Sequence, residues 1–223
     1  MTSEREKHRN PRNRSPMNTI LKASEHRARQ AVRDFVEGAA SGDLARMSDS
    51  FGSLDYGKFD GGGWARAMRA ATRLTSVPVA TQEFFLSVYI THGDHIRQEC
   101  ADLPLANGLR VLLPKYEGST IRLYRGESFR NRSRRTYGLS WTARADVARQ
   151  RAEQGPYRSS VGGSVLLETL ASPDAIICAP ALLNDNYAEE EYIVDRRRLT
   201  SVKVIDRFSQ LVERRGGIIV KNF

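Results

Sequence analysis

Residues 114–125 read Pro-Lys-Tyr-Glu-Gly-Ser-Thr-Ile-Arg-Leu-Tyr-Arg, and the character of the sequence changes across them. Before Pro114, apolar residues recur at the three- and four-residue spacing of amphipathic helices. After it, short apolar segments are bounded by Gly, Pro, Asn or Asp, which is typical of strands and turns. The sequence therefore predicts a helical N-terminal region followed by an antiparallel-rich α+β region.

Four helices are predicted before Pro114. The first spans residues 19–40 and stops at Gly42, and the next two follow the apolar positions of residues 64–74 and 84–96. A short fourth helix ends at residues 109–113. Residues 41–63 are expected to form a loop that ends in three glycines. These glycines lack the Gly-Lys-Ser/Thr of a phosphate-binding P-loop, so we interpret them as a flexible turn.

Seven strands and one helix are predicted after Pro114. The strands are residues 121–125, 137–141, 164–170, 175–178, 191–194, 202–205 and 217–220. Thr142 is expected to cap the helix, which runs to Ala152. Three regions follow from these patterns: a disordered basic tail over residues 1–18, a helical region over 19–115, and an α+β region over 116–223.

The charge of +9 is concentrated near the N-terminus. Residues 1–33 carry nine Lys or Arg against three Glu, a balance of +6, so the other 190 residues carry only +3. A basic arm of this kind suggests contact with nucleic acid or with an acidic surface, although a solvated, disordered terminus is the more ordinary explanation. We therefore expect any general attraction to nucleic acid to reside in residues 1–33.

The remaining composition favours a soluble protein of a reducing compartment. Cys100 and Cys178 have no metal-binding spacing and lie among apolar neighbours, so they predict buried free thiols. His92 and His95 are three residues apart but lack a nearby carboxylate-histidine set, so they predict a helix-surface pair and no metal site. Without a secretory apolar segment or a membrane span, a cytoplasmic location is expected, or delivery into a host cytoplasm.

Three segments after Pro114 carry candidate chemistry: Leu123-Tyr124-Arg125-Gly126-Glu127, Gly138-Leu139-Ser140-Trp141-Thr142 and Glu189-Glu190-Glu191-Tyr192-Ile193-Val194. A guanidinium in an apolar strand needs a partner, which is either a local carboxylate or a ligand anion. Glu189 and Glu191 would point the same way if their segment is extended. Each signal alone has an ordinary structural explanation: a salt bridge, a helix cap beside a core aromatic, or a solvated acidic face.

Together and in this order, the three segments resemble the Arg-Ser-Glu class of NAD-dependent mono-ADP-ribosyltransferases. That family has an aromatic-Arg motif on one strand, Ser-x-Thr/Ser on the next, and Glu-x-Glu before apolar residues on a later strand. The resemblance covers about residues 119–208 and implies an ADP-ribosyltransferase-like split β-sandwich. Arg125 and Ser140 are closer in sequence than in the bacterial binary toxins of this class, so it does not extend to that branch.

The resemblance also implies roles for individual residues. Arg125 would bind the NAD phosphates or the adjacent ribose, and the backbone of Gly126 would approach the nicotinamide amide. Ser140, flanked by Trp141 and supported by Thr142, would orient the nicotinamide ribose or the catalytic glutamate. Glu191 would stabilise the cation that forms as nicotinamide leaves. Glu189 would position or deprotonate the acceptor, with Tyr187 in the acceptor-recognition loop.

Several readings remain open at this stage. The acceptor could be a protein side chain, with arginine favoured by Glu-x-Glu, or a nucleic acid, and no metal is implied. An NAD glycohydrolase on the same fold would use water as the acceptor. A nucleic-acid-binding module acting through the basic arm is a third reading. A phage-encoded host modifier, a delivered effector and a toxin with an antitoxin partner all fit the resemblance.

Overall fold

The computed structural model describes residues 16–55, 62–180, 190–214 and 217–220, and its first half is helical, as the apolar spacing predicts. Six helices precede the sheet in this described part of the chain: α1 Pro16–Ser41, α2 Leu44–Asp49, α3 Phe51–Asp55, α4 Gly63–Ala71, α5 Val79–Glu99 and α6 Asp102–Leu112. The first helix begins at Pro16, inside the range expected to be disordered, so residues 16–33 of the basic arm are its opening turns.

The predicted loop over residues 41–63 is wrong for residues 44–55, which form α2 and α3. Asp43 begins α2 by accepting a hydrogen bond from the backbone N–H of Arg46 at 3.0 Å, and such a cap satisfies one of the free N–H groups of a helix start. Met47 and Leu54 are buried against the helical core. Each helix contributes too few apolar positions to show a periodic pattern, which is why the sequence did not reveal them.

The second half forms an antiparallel sheet of six strands within the described residues, in the order β4-β5-β2-β1-β3-β6. These strands are β1 Ile121–Ser128, β2 Ser140–Thr142, β3 Ser164–Ala171, β4 Ile176–Cys178, β5 Glu191–Val194 and β6 Val202–Phe208. A separate pair is formed by β7 Leu211–Arg214 and β8 Gly217–Val220. The α+β class is thereby confirmed, and β7 is a strand that the sequence pattern did not predict.

Two helices lie among the strands. Helix α7, Phe129–Arg134, follows β1 directly and was not predicted, because its sequence is almost entirely Arg, Asn and Ser. Helix α8, Ala145–Gln154, was predicted, but Thr142 does not cap it. The Thr142 hydroxyl instead accepts a hydrogen bond from the backbone N–H of Arg144 at 3.0 Å, two residues on, which forms a turn before the helix begins.

The sheet separates two apolar clusters. One joins the helical half to the sheet through Leu139, Ile177 and Ile193, and the other covers the opposite face with side chains such as Leu123 and Trp141. Cys100 and Cys178 are buried free thiols, as predicted, and burial raises the pKa of each to about 12. Among the described residues, no helix is both long and apolar enough to span a bilayer.

Candidate active site

Strand β1 divides its side chains between the two faces of the sheet. Successive residues of a strand point to opposite faces, so Arg125 and Glu127 share one side while Tyr124 and Gly126 share the other. A Cβ on Gly126 would lie 2.7 Å from the carbonyl oxygen of Ala148. Only a glycine therefore allows α8 to pack this closely against β1. The missing side chain of Gly126 serves the packing of this helix. The expected approach of its backbone to the nicotinamide amide stays a prediction.

Glu127 is the buried centre of the site's hydrogen bonding, with a fully buried side chain. One carboxylate oxygen accepts from the backbone N–H of Ser128 at 2.9 Å and the amide of Asn131 at 3.0 Å. The other accepts from Arg125 Nε and the backbone N–H of Gly138, both at 3.0 Å. This carboxylate thus joins β1, α7 and the approach to β2, and two buried charges are tolerated because they are paired and hydrogen-bonded.

Arg125 makes three hydrogen bonds, one within β1 and two to neighbouring segments. Nε donates to Glu127, Nη1 donates to the carbonyl of Ser140, and Nη2 lies 3.3 Å from the hydroxyl of Tyr157. Gly138 leaves room for the guanidinium, because a Cβ at that position would displace it from its present place. Of the two partners the sequence allowed, the local carboxylate is the one observed. A guanidinium has five N–H donors, so two remain outside these bonds.

The pKa values of this pair follow from burial and mutual attraction. Burial raises the pKa of Glu127, but the charge of Arg125 and the bonds from Asn131, Gly138 and Ser128 outweigh it and leave that pKa below its ordinary value. Burial lowers the pKa of Arg125, and attraction to Glu127 and Tyr157 reverses this to a net increase. Both groups are therefore ionised at neutral pH.

Strand β2 brings Ser140 and Thr142 beside Glu191. Thr142 lies opposite Glu191 in the ladder between β2 and β5, and Ser140 lies opposite Ile193. The ladder between β1 and β2 has one register pair, Tyr124 opposite Thr142, although β1 continues for four further residues. This short pairing leaves the end of β2 that carries Ser140 free of β1, and Arg125 reaches Ser140 there.

A cavity of about 360 Å³ gathers the predicted residues that the structure describes. Its walls include Arg125, Gly126, Ser140, Trp141, Thr142 and Glu191, which come from β1, β2 and β5. The cavity falls in the lower part of the size range for small-molecule sites. Polar groups dominate its lining, and they derive from three segments that are far apart in sequence, so the fold assembles them into one site.

The helical half supplies a wall that the sequence did not indicate. Helix α5 contributes Tyr89, Gly93 and Asp94 to the cavity, and α8 contributes Arg151. Tyr89 is buried, and burial raises its pKa, with the negative charge of Glu191 adding to the effect. Tyr89 and Glu191 both line this cavity. Because α5 reads as an ordinary amphipathic helix, no local signal distinguishes Tyr89 from a core residue.

Trp141 has a mainly structural role in this arrangement. Its side chain is 1% exposed and belongs to the apolar cluster on the far face of the sheet. Its indole N–H donates to the carbonyl of Gly138 at 3.2 Å, and its ring meets that of Tyr137 edge-on at 6.2 Å. Any contact between Trp141 and a ligand in the cavity would thus involve its main chain, and the ring fixes β2 in place.

The predicted Glu-x-Glu segment is described from Glu190 onward. Tyr187 and Glu189 lie outside the described residues, and β5 begins only at Glu191. Glu190, between the two glutamates, has φ of 45°, a left-handed conformation that interrupts an extended chain. Within the described residues, the extended chain therefore begins at Glu191 and does not include Glu190.

The histidines predicted as a helix-surface pair both lie on α5. His95 Nε2 is 2.8 Å from a carboxylate oxygen of Asp55 at the end of α3, so this side chain contacts a neighbouring helix. Within the described part of the chain, His, Cys, Asp and Glu form no group of three arranged to hold a metal ion.

Comparison with known proteins adds no assignment, since no protein-family model, curated protein or solved structure matches the chain.

Proposed function

We propose that this chain is an NAD-dependent mono-ADP-ribosyltransferase that transfers ADP-ribose from NAD to a macromolecular acceptor. One observation carries the proposal: Arg125, Ser140, Thr142 and Glu191 line a single cavity on adjacent strands. These residues belong to the three sequence segments that resemble the Arg-Ser-Glu class. Three distant segments would not be expected to meet in one polar cavity if each had only its ordinary structural role.

The proposed reaction breaks the bond between nicotinamide and C1′ of its ribose. Nicotinamide leaves with the bonding electron pair, and positive charge develops on the ribose. The Glu191 carboxylate stabilises that charge, since a fixed anion in a partly enclosed site opposes a developing cation strongly. The acceptor nucleophile then forms a bond to C1′ and gives its proton to a base, the role assigned to Glu189.

The cavity suits one end of NAD. Its volume of about 360 Å³ would take the nicotinamide-ribose end, and the adenosine end would extend outward. The two N–H groups of Arg125 that remain outside its observed bonds would donate to phosphate or ribose oxygens. The bond from Arg125 to the Ser140 carbonyl would hold β2 at the correct distance. Glu127 would set the orientation of Arg125 without touching the substrate.

The decisive experiment compares Glu191→Gln with wild type. Nicotinamide release from NAD should fall by at least about 10²-fold, the scale for losing one preorganised electrostatic group. NAD should still bind, as calorimetric titration would show, because the substitution is nearly isosteric. NAD labelled in the adenosine moiety, incubated with a cell lysate and then treated with protease or nuclease, identifies the class of acceptor.

Glu190→Gln is the matched control, because Glu190 is exposed and lies outside the cavity lining. It removes the same charge one residue away and should leave nicotinamide release unchanged. Wild-type release from Glu191→Gln, or equal loss in both variants, contradicts the assignment of Glu191. Nicotinamide release without any labelled macromolecule would instead identify an NAD glycohydrolase.

A further inference from the structure

The segment that links β1 to β2 is strongly basic. Between Glu127 and Asp146 the sequence contains no acidic residue, and residues 130–135 alone contain four arginines. The charge of the chain beyond residue 33 is near neutral only as a whole, because basic segments such as this one are balanced by acidic residues elsewhere. This basic segment is also the one that joins the strands carrying Arg125 and Ser140.

Three of these arginines are presented to solvent without carboxylate partners. Arg130, Arg134 and Arg135 are exposed, and within the described residues none of them has an ion pair or a side-chain hydrogen bond. We name these three side chains, together with the exposed Arg207 of β6, the α7 surface. Arg207 belongs to it because its guanidinium lies 5.3 Å from the centre of the Phe129 ring at the start of α7.

Helix α7 is firmly attached to the rest of the molecule. Ser128 caps it by accepting from the backbone N–H of Asn131 at 3.1 Å, and the Asn131 amide donates to the buried Glu127 at 3.0 Å. Phe129 packs against the apolar cluster of the sheet, and Arg132 donates to the carbonyl of Val202 at 3.2 Å. The exposed arginines therefore extend from a fixed scaffold that shares Glu127 with the candidate active site.

We propose that the α7 surface binds the phosphodiester backbone of a nucleic acid. Guanidinium groups match phosphate oxygens in geometry and charge. A six-residue helix is about 9 Å long, a length over which a nucleic-acid duplex carries roughly five phosphate charges. The four arginines of the α7 surface are thus similar in number to the phosphate groups that a duplex presents over the length of α7. The surface is distinct from the basic arm of residues 1–33, and the inference does not depend on NAD chemistry.

The composition of the surface favours nucleic acid over an acidic protein. Stable protein interfaces centre on buried apolar and aromatic side chains. The large apolar side chains that the described residues expose are Val79, Leu103, Val161, Leu170 and Ile205, and none lies on α7. Phe129 is partly buried and covered by Arg207. Ile205 is exposed two residues before Arg207 on β6, so the α7 surface has one apolar side chain at its edge beside four arginines. This composition suits contacts dominated by phosphate.

The test is a fluorescence-anisotropy titration of the full chain with labelled single-stranded RNA and a DNA duplex, across about 50 to 200 mM salt. The variant Arg130→Gln/Arg134→Gln/Arg135→Gln should bind at least about tenfold more weakly at the lowest salt. Its slope of log affinity against log salt should fall by about 2 to 3, since each lost phosphate contact contributes roughly 0.7 to 0.9. The variant should remain folded, because these exposed side chains have no hydrogen bond or ion pair within the described residues.

Arg69→Gln/Arg73→Gln/Lys115→Gln is the matched control. Its three positions are exposed, and it loses the same net charge from other parts of the molecule. The proposal predicts a salt slope close to wild type for this control. Equal slopes in both triple variants, or no binding by wild type, would overturn it. So would competition by polyglutamate as strong as competition by RNA, because that would identify an acidic-protein surface.

Discussion

Two arginine-rich segments of this chain have similar composition and opposite surroundings. In the 3₁₀ helix Arg196–Arg198, Arg196 donates to Asp102, and Arg197 lies 2.7 Å from Asp195. Arg198 is within ion-pair distance of Asp174 at 3.6 Å. The arginines of the α7 surface have no such partners among the described residues. The first segment thus holds the fold together, and the second is available to a ligand.

The difference shows that local charge does not indicate what an arginine does. The partner of Arg196 lies 94 positions away in α6, whereas that of Arg197 is two residues away. Only the tertiary arrangement shows which arginines are already neutralised. Arg125 extends the paired group to a fully buried carboxylate, Glu127.

Glu127→Ala should produce the largest effect. It leaves the Arg125 guanidinium without its carboxylate and the N–H of Gly138 without its acceptor. Removing one partner of a buried ion pair costs roughly 3–5 kcal/mol. Urea unfolding monitored by circular dichroism measures this loss. Glu117→Ala, at an exposed position, is the control and should stay within about 0.5 kcal/mol of wild type. A similar loss in both variants would contradict the role given to Glu127.

Asp195→Ala should cost less, about 2–3 kcal/mol, because its arginine partners keep contact with water. Asp195 is 2% exposed, whereas the side chains of Arg197 and Arg110 are 33% and 26% exposed. The same unfolding experiment tests this. Asp174→Ala, at an exposed ion pair, should change stability by no more than about 1 kcal/mol. If the two variants are equally stable, the buried position of Asp195 has no special importance.

The contribution of Asp195 should also depend on pH. Burial raises the pKa of Asp195, but hydrogen bonds from Arg197 outweigh that effect and leave the pKa below its ordinary value. A carboxylate with a lowered folded-state pKa stabilises the fold above its unfolded pKa, about 3.9, and the stabilisation is lost as pH falls further. The stability difference between wild type and Asp195→Asn should stay constant from neutral pH to about 5 and shrink below about 4. A difference that grows on acidification would contradict this sign.

Replacing the arginines of the α7 surface should have the smallest effect on stability. Each of Arg130→Gln, Arg134→Gln and Arg135→Gln should shift the free energy of unfolding by about 0.5 kcal/mol or less, since exposed side chains without partners contribute little. Arg135 has φ of 55°, which glutamine tolerates about as well as arginine does. If the free energy of unfolding fell by more than about 2 kcal/mol at any of the three positions, that arginine would stabilise the fold as Arg196 and Arg197 do.

The sequence predicted the strands better than the short helices. Six of the seven strands expected after Pro114 overlap strands of the six-stranded sheet, and the seventh coincides with β8. Strands are predicted well because alternating apolar residues and turn signals are local features. Helices α2, α3 and α7 have only five or six residues each. Elements this short depend on caps and on burial against distant segments, so their own sequence carries little of the information that forms them.

The candidate site divides in the same way. Arg125, Ser140 and Glu191 could be selected from short motifs, and they line one cavity. Glu127 belongs to the same short motif as Arg125, but its role depends on hydrogen bonds from Asn131 and Gly138, which only the folded structure shows. The contribution of Tyr89 depends on how α5 packs against the sheet. A single sequence gives no signal for a contact made by residues about a hundred positions apart.

Gly126 has a consequence for the comparison of relatives. Its missing side chain is required by the backbone of α8, whether or not any ligand enters the cavity. An alignment in which this position never varies would therefore be evidence of helix packing and would say nothing about catalysis. By the same reasoning, a homologue that retains Gly126 while losing Glu191 would be expected to keep the architecture and to have given up the chemistry.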